Sequence, residues 1–282
     1  MKKYSFYFKE SKPFVKLMML ICIFMVLTSI AGFIFQMINL PVLATQALSQ
    51  IIMFGLATFL WGIMFEGSFY GFTQTKRKNF SYFLTIGILL LVVSMPFIDG
   101  INVWNNSLHF EGEEIFRQME ENARLVMEKF MQDTSTSSLI LNILVLALTP
   151  AILEEYFFRA AMQTTMIKML RSKFFGIILT SILFSLIHFQ FFSFLPRVFL
   201  GIFLGYLYVF SKNIIVPIIY HFINNLIVVL GYYLYNTKII EKDISQIGYA
   251  YTPTLFFISI LLIGGLFFIM YLLQKKEKIN AQ

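Results

Sequence analysis

Along this chain the apolar residues come in long runs, not in alternations or narrow helical stripes. Eight stretches are nearly continuous Leu, Ile, Val, Phe, Met and Tyr, roughly 14 to 36, 42 to 65, 80 to 97, 138 to 162, 174 to 192, 197 to 211, 213 to 235 and 253 to 273. A helix that crosses a bilayer needs about 20 predominantly apolar residues, so the pattern predicts an all-α polytopic bundle with about eight spans. The first run is too long, and begins too late, for a cleaved signal, and is expected to be a retained span. Only residues 98 to 137 form a hydrophilic stretch longer than a connector. Within it Ile115, Phe116, Met119, Ala123, Val126, Met127, Phe130 and Met131 recur at helical spacing. Glu113, Glu120, Glu121 and Glu128 are expected on the other side, which predicts an external amphipathic helix on the bilayer or the bundle. A packed connector is the first expectation for it, and a lid the second. With no internal repeat and no second soluble segment, residues 1–282 read as one integral-membrane domain with a polar-residue-bearing core at about 138–235.

Composition narrows this further. The chain is 58% apolar and 13% charged, against about 25% charged in soluble domains, which excludes an ordinary globular protein. The formal charge of +7 is explained by position. Fifteen of the 22 Lys and Arg, among them Lys16, Lys76, Arg77, Lys78, Lys168, Arg171, Lys173, Lys212, Lys275 and Lys276, fall on one side of an eight-span arrangement. By the positive-inside rule that side is cytoplasmic, so both termini are expected there, in a multi-pass protein of the cytoplasmic (inner) membrane. The other side holds Arg117, Arg124, Lys129, Arg197, Lys238 and Lys242 among ten acidic residues. The basicity therefore needs no nucleic-acid partner; the expected partner is the lipid bilayer. The single cysteine, Cys22, lies in the first run and allows no intrachain disulfide. Gly201 and Gly205 are expected to let helices approach closely, Pro217 to kink its span, and Trp61 and Trp104 to anchor at interfaces.

Ionisable residues inside hydrocarbon cost about 2.5–3.5 kcal/mol each and tend to mark function. The fourth run carries three in six residues, Glu154-Glu155-Tyr156-Phe157-Phe158-Arg159. Glu155 and Arg159 are four apart, share a helix face and can pair; Glu154 lies about 100° round and has no partner on its own helix. His188 falls in the fifth run and His221 in the seventh, the latter four residues before Asn225, with Asn224 expected to point away. At about 1.5 Å per residue, Glu154 and His221 lie about 12 Å from the cytoplasmic helix ends, Asn225 about 18 Å and His188 about 21 Å. These four are expected to share a cavity in the middle or inner half of the membrane. His109 reads as a solvated loop residue.

Such a set suits hydrolysis. A carboxylate in an apolar site is a stronger base than one in water and can take a proton from a water molecule. A histidine and an amide on one face can donate hydrogen bonds to a developing oxyanion. The same groups, Glu154 with His188 and His221, also offer donors for Zn²⁺ with a position left for water, and spacing does not choose between these mechanisms. No GxSxG, GxGD or HExxH motif occurs. A transporter relaying protons through Glu and His is a weaker reading, because no pair of similar halves is visible.

EEYFFR at 154–159, FSLIH at 184–188 and HFINN at 221–225 together resemble the motifs EExxxR, FxxxH and HxxxN of the CAAX-protease and bacteriocin-processing (CPBP, or Abi) family of intramembrane proteases. The resemblance covers about 145 to 230, with all seven motif positions intact. It implies that Glu154 and His188 activate water, that His221 and Asn225 form the oxyanion site, that Glu155 and Arg159 support them, and that Phe184 packs among them. It further implies an endopeptidase acting on a membrane-associated peptide or protein, cutting near the cytoplasmic half of the bilayer, in a bacterial member. Whether family members use a metal is disputed. The alternative is a non-enzymatic immunity or regulatory protein that binds a peptide or membrane partner with the same fold.

Overall fold

The computed structural model describes residues 8–68, 73, 75, 79–241 and 252–279. Lys2, Lys3, Lys76, Arg77, Lys78 and Lys242, all counted in the charge bias, lie outside the described residues, as do the side chains of Glu277 and Lys278. The described chain forms nine helices and no strand: α1 Pro13–Met37, α2 Val42–Glu66, α3 Phe80–Asn106, α4 Glu113–Phe130, α5 Thr136–Leu170, α6 Lys173–Leu186, α7 Phe194–Ser211, α8 Ile215–Asn236 and α9 Pro253–Ile279. All but α4 and α6 are long and apolar enough to cross a membrane. The protein is an all-α, multi-pass membrane bundle. Large apolar side chains on its outside, such as Leu261 and Phe257, have no protein cover; lipid is the solvent that suits them.

Contacts between helices sort their ends into two sets. At one end Lys16 of α1 pairs with Glu66 of α2 at 3.0 Å, Thr75 bridges to Asn213 between α7 and α8, and Gln274 of α9 donates to the Val209 carbonyl of α7. At the other end Asn105 of α3 donates to the Phe191 carbonyl, Asn142 of α5 to that of Phe130, and Asn236 of α8 to that of Met131. The start of α1 and the end of α9 thus share one end, which requires an even number of crossings, and α6 supplies the eighth. At 14 residues α6 rises only about 21 Å against a hydrocarbon thickness of about 30 Å. The turn that follows it therefore sits below the membrane boundary at the α4 end. Irregular backbone at such depth persists where protein covers it or where it lines a cavity.

Two apolar clusters build the bundle. Leu20, Phe54, Trp61, Phe158 and Phe184 join α1, α2, α5 and α6; Phe83, Leu90, Leu204, Val216 and Met270 join α3, α7, α8 and α9. Close approach within them relies on glycine. A Cβ on Gly205 would come within 2.7 Å of Gln163 Oε1 and 2.8 Å of Ile177 Cγ2, and one on Gly201 within 2.9 Å of Ser181 Cβ, as the small-residue pair had predicted.

Several expectations need correction. The third span does not stop at 97 but continues to Asn106, because Asn105 is buried and bonds both the Phe191 carbonyl and the Leu195 amide. The fourth run continues past 162 to Leu170, with π-helical turns at Ile143–Leu148 and Tyr156–Gln163. The fifth helix stops at Leu186, well short of 192. Trp61 is no interfacial anchor: it is buried, and its Nε1 donates to the Lys16 carbonyl at 2.8 Å. Pro217 falls in the first turn of α8, where a missing N–H costs nothing, so it frees no carbonyl in mid-span.

Candidate active site

The site lies on the seam between the two clusters. α5 brings Glu154 and Glu155 at the end of regular α-helix, immediately before the π-helical turn that begins at Tyr156. Both carboxylates are buried, Glu155 completely. Glu155 Oε2 accepts from Arg159 Nε at 3.0 Å, so the pair expected from four-residue spacing forms, with both side chains at 0% exposure. The other oxygen, Oε1, lies 3.0 Å from His221 Nδ1 on α8. An ionised carboxylate can only accept, so Nδ1 carries the proton and Nε2 is the ring atom left for other work.

His188 is not inside a helix, as expected, but in the turn after α6, where Phe189 takes φ 53°, a conformation that favours glycine. Its Nδ1 lies 2.8 Å from the Phe184 carbonyl. A carbonyl also only accepts, so here too Nδ1 is the protonated atom and Nε2 remains free to accept. Phe184, buried at 1%, is the common wall: its ring centre lies 5.2 Å from the His188 ring, 6.0 Å from the His221 ring and 5.2 Å from the Arg159 guanidinium. The last contact is of cation–π type and faces a guanidinium whose Nη1 and Nη2 have no hydrogen-bond partner in the protein.

Glu154, His188, His221 and Asn225, carried by α5, the α6–α7 turn and α8, line a single cavity of about 340 Å³. That is a volume in the range of small-ligand sites. Four features of it were not expected. Asn224 also lines it, its Nδ2 donating to Asn225 Oδ1 at 3.3 Å. Gln46 and Gln50 contribute from α2, and no charge or motif marked them. Arg197, assigned from sequence to the external side, lines the same cavity. And Met127 of α4 forms part of its wall, so the cavity faces the α4 end of the bundle, not the Lys-rich end. The 12 Å depth derived for Glu154 failed because α5 runs to Leu170, sixteen residues beyond it, or about 24 Å.

The amphipathic helix α4 roofs this end. Glu120 is not turned away, as expected: it accepts from the Phe192 amide at 3.2 Å and from the Ser193 hydroxyl, and Arg117 stacks on the Phe192 ring at 4.1 Å. At its start, Arg117 beside Glu113, reinforced by His109, holds the Glu113 carboxyl down at about 2. His109 is itself largely exposed.

Residues 136–227 match the family model described as Rce1-like, type II CAAX prenyl endopeptidase. This stretch of the chain is similar to that family. The match contains all three motifs, with α5 to α7 and the first part of α8, and it supports an intramembrane endopeptidase of the CAAX-protease type with a membrane-associated substrate. α1 to α4 and α9 lie outside it. No curated protein and no solved structure matches the chain.

The resemblance raises the question of zinc. Both histidines commit Nδ1 to protein acceptors and keep Nε2, the ring atom a zinc ion would take, clear of the protein, but among the described residues no three His, Cys, Asp or Glu side chains come together as a metal site. The donor set as arranged does not fit a three-ligand zinc centre.

Proposed function

We propose that the protein is an intramembrane endopeptidase in which Glu154 and His188 activate a water molecule that attacks a peptide carbonyl, while His221 and Asn225 hold the oxyanion. The observation that supports this is the convergence of these four side chains on one cavity of about 340 Å³. Water bound between Glu154 and His188 Nε2 gives up a proton to the carboxylate as its oxygen forms the new bond to carbon. The same carboxyl then returns that proton to the departing amine, and the C–N bond breaks.

The oxyanion needs donors. Asn225 has two N–H bonds, and His221 supplies one from Nε2 when its ring is protonated. Glu155 accepts from Nδ1–H and so fixes the ring with Nε2 toward the cavity, as a fixed carboxylate orients a catalytic histidine. Arg159 in turn fixes Glu155, and Phe184 fixes the planes of both rings. Asn224, bonded to Asn225 Oδ1, orients that amide so its N–H groups face the cavity. No step requires a metal. The peptide is presented from the bilayer, in the cytoplasmic membrane of a bacterium; a prenylated carboxyl-terminal segment, as the family description names, is one such substrate.

The deciding experiment uses purified full-length protein in detergent, with bound metal quantified by elemental analysis and cleavage of a fluorogenic peptide library followed for wild type and Glu154→Ala. Cleavage by metal-free wild type and loss of at least 100-fold in the variant is the expected result. Activity that vanishes on chelation and returns with zinc would replace the mechanism with a metal one. A variant that folds and keeps its full biological effect would favour a non-enzymatic binder instead.

A further inference from the structure

Arg197 is the cation this mechanism does not use. It lies in the first turn of α7, where the helix dipole opposes a positive charge, and within a membrane-spanning segment, where an uncompensated cation is costly. Its Nη2 donates to Gln190, but Nη1 is buried without a hydrogen-bond partner in the protein. Among the described residues it forms no ion pair. Glu120, a carboxylate in the adjoining cleft, already accepts from Phe192 and Ser193.

The position of this guanidinium is distinctive. It lines the cavity of Glu154, His188 and His221, and also two others: one of about 420 Å³ with Asp99, Ser94 and Tyr220, and one of about 740 Å³ beneath α4 with Glu120 and Arg117. Neither neighbour contains Glu154, His188 or His221. Arg197 therefore stands at the rim of the reacting centre, where the three spaces meet. A half-buried cation with a buried, unused N–H, set in the first turn of a helix, is suited to an anion; the planar fork of Arg matches a carboxylate in particular. Every peptide carries one such group, at its C-terminus.

We infer that Arg197 binds the C-terminal carboxylate of the substrate and so sets the cut a short distance from the end of the chain. This rests on the protease reading above. It makes Arg197 a specificity residue, acting on a group remote from the scissile bond.

The test compares two fluorogenic peptides of identical sequence, one ending in a free carboxylate and one in a carboxamide, with full-length wild type, Arg197→Gln, Arg197→Lys and Glu154→Ala. Wild type is expected to prefer the acid by about tenfold or more in kcat/KM, the equivalent of one hydrogen bond to a charged group, mainly through KM. Arg197→Gln is expected to cleave both peptides at the rate wild type shows with the amide, and Arg197→Lys to recover part of the preference. Equal cleavage of the two peptides by wild type, with Glu154→Ala inactive, overturns this inference and leaves the protease intact. So does an Arg197→Gln variant that loses kcat equally on both peptides, which would place the guanidinium at the oxyanion. Because the wild-type pair decides by itself, a misfolded Arg197 variant does not rescue the idea. Cleavage of neither peptide by wild type, while it cleaves members of the library, counts against terminal recognition; no cleavage of anything removes the reading beneath it.

Discussion

Glu155 Oε1 and His221 Nδ1 meet at 3.0 Å across 66 positions of sequence, both buried between α5 and α8. This contact ties the first motif to the third, and it converts a carboxylate that looked like half of an ion pair into the group that sets the proton position on a site histidine. Glu155→Gln keeps the shape but removes the charge. The expected outcome is a fall in kcat of about 100-fold, comparable to losing an oxyanion donor. An unchanged kcat would show that His221 needs no carboxylate behind it.

The pair with Arg159 is a matter of stability first. Both side chains are at 0% exposure, and removing one partner of a buried pair costs about 3–5 kcal/mol because the other charge remains. Arg159→Met should therefore lower the unfolding temperature in detergent sharply. The double variant Glu155→Gln/Arg159→Met should recover much of that loss. Additive losses would mean the two side chains act separately.

Gly205 packs where no side chain fits. Gly205→Ala should cost about 1–3 kcal/mol, the usual range for overpacking, since its Cβ would meet Gln163 and Ile177 inside 3.0 Å. Gly264 on α9 has nothing within 4 Å of its Cβ position, and Gly264→Ala should be neutral or slightly stabilising. Equal effects at the two positions in thermal unfolding would contradict the packing argument.

Glu113 provides a pH test outside the spans. Its carboxyl is held down at about 2 by Arg117 and then His109, below the ordinary value of about 4.3. A depressed carboxylate contributes stability that is fully present above its unfolded value and is lost as pH falls through the folded one. Fraying of the α4 N-terminus is thus expected between about pH 4 and 2. Carbon-13 titration of the Glu113 carboxyl should show the low midpoint, and Arg117→Ala should move it upward. A midpoint near 4.3 in the parent would refute the contact.

Glu120 anchors α4 over the site through Phe192 and Ser193. Glu120→Ala should raise amide exchange across 113–130 while leaving exchange in α7 and α8 nearly unchanged. Spread of the effect into those helices would mean that α4 is part of the folded core and not a cover on it.

What could be read from the sequence is what local physics enforces. Long apolar runs must become helices in lipid, because no water is there to satisfy the backbone, and a charge within such a run must face the interior. That is why the all-α membrane bundle, the Glu155–Arg159 pair and the narrow passage at Gly201 and Gly205 were legible, as was the expectation that Glu154, His188, His221 and Asn225 share a cavity. What tertiary structure alone decided concerns distances between helices and exact helix ends. Periodicity cannot say that α6 stops at Leu186 and drops His188 into a turn, that α5 runs on to Leu170 and so moves the cavity to the α4 end, or that Glu120 and Arg197 turn inward. A helix end depends on capping and covering partners from remote segments, such as the Asn105 contacts to the α6–α7 turn. Residue spacing along one helix carries no information about which other helix will lie against it.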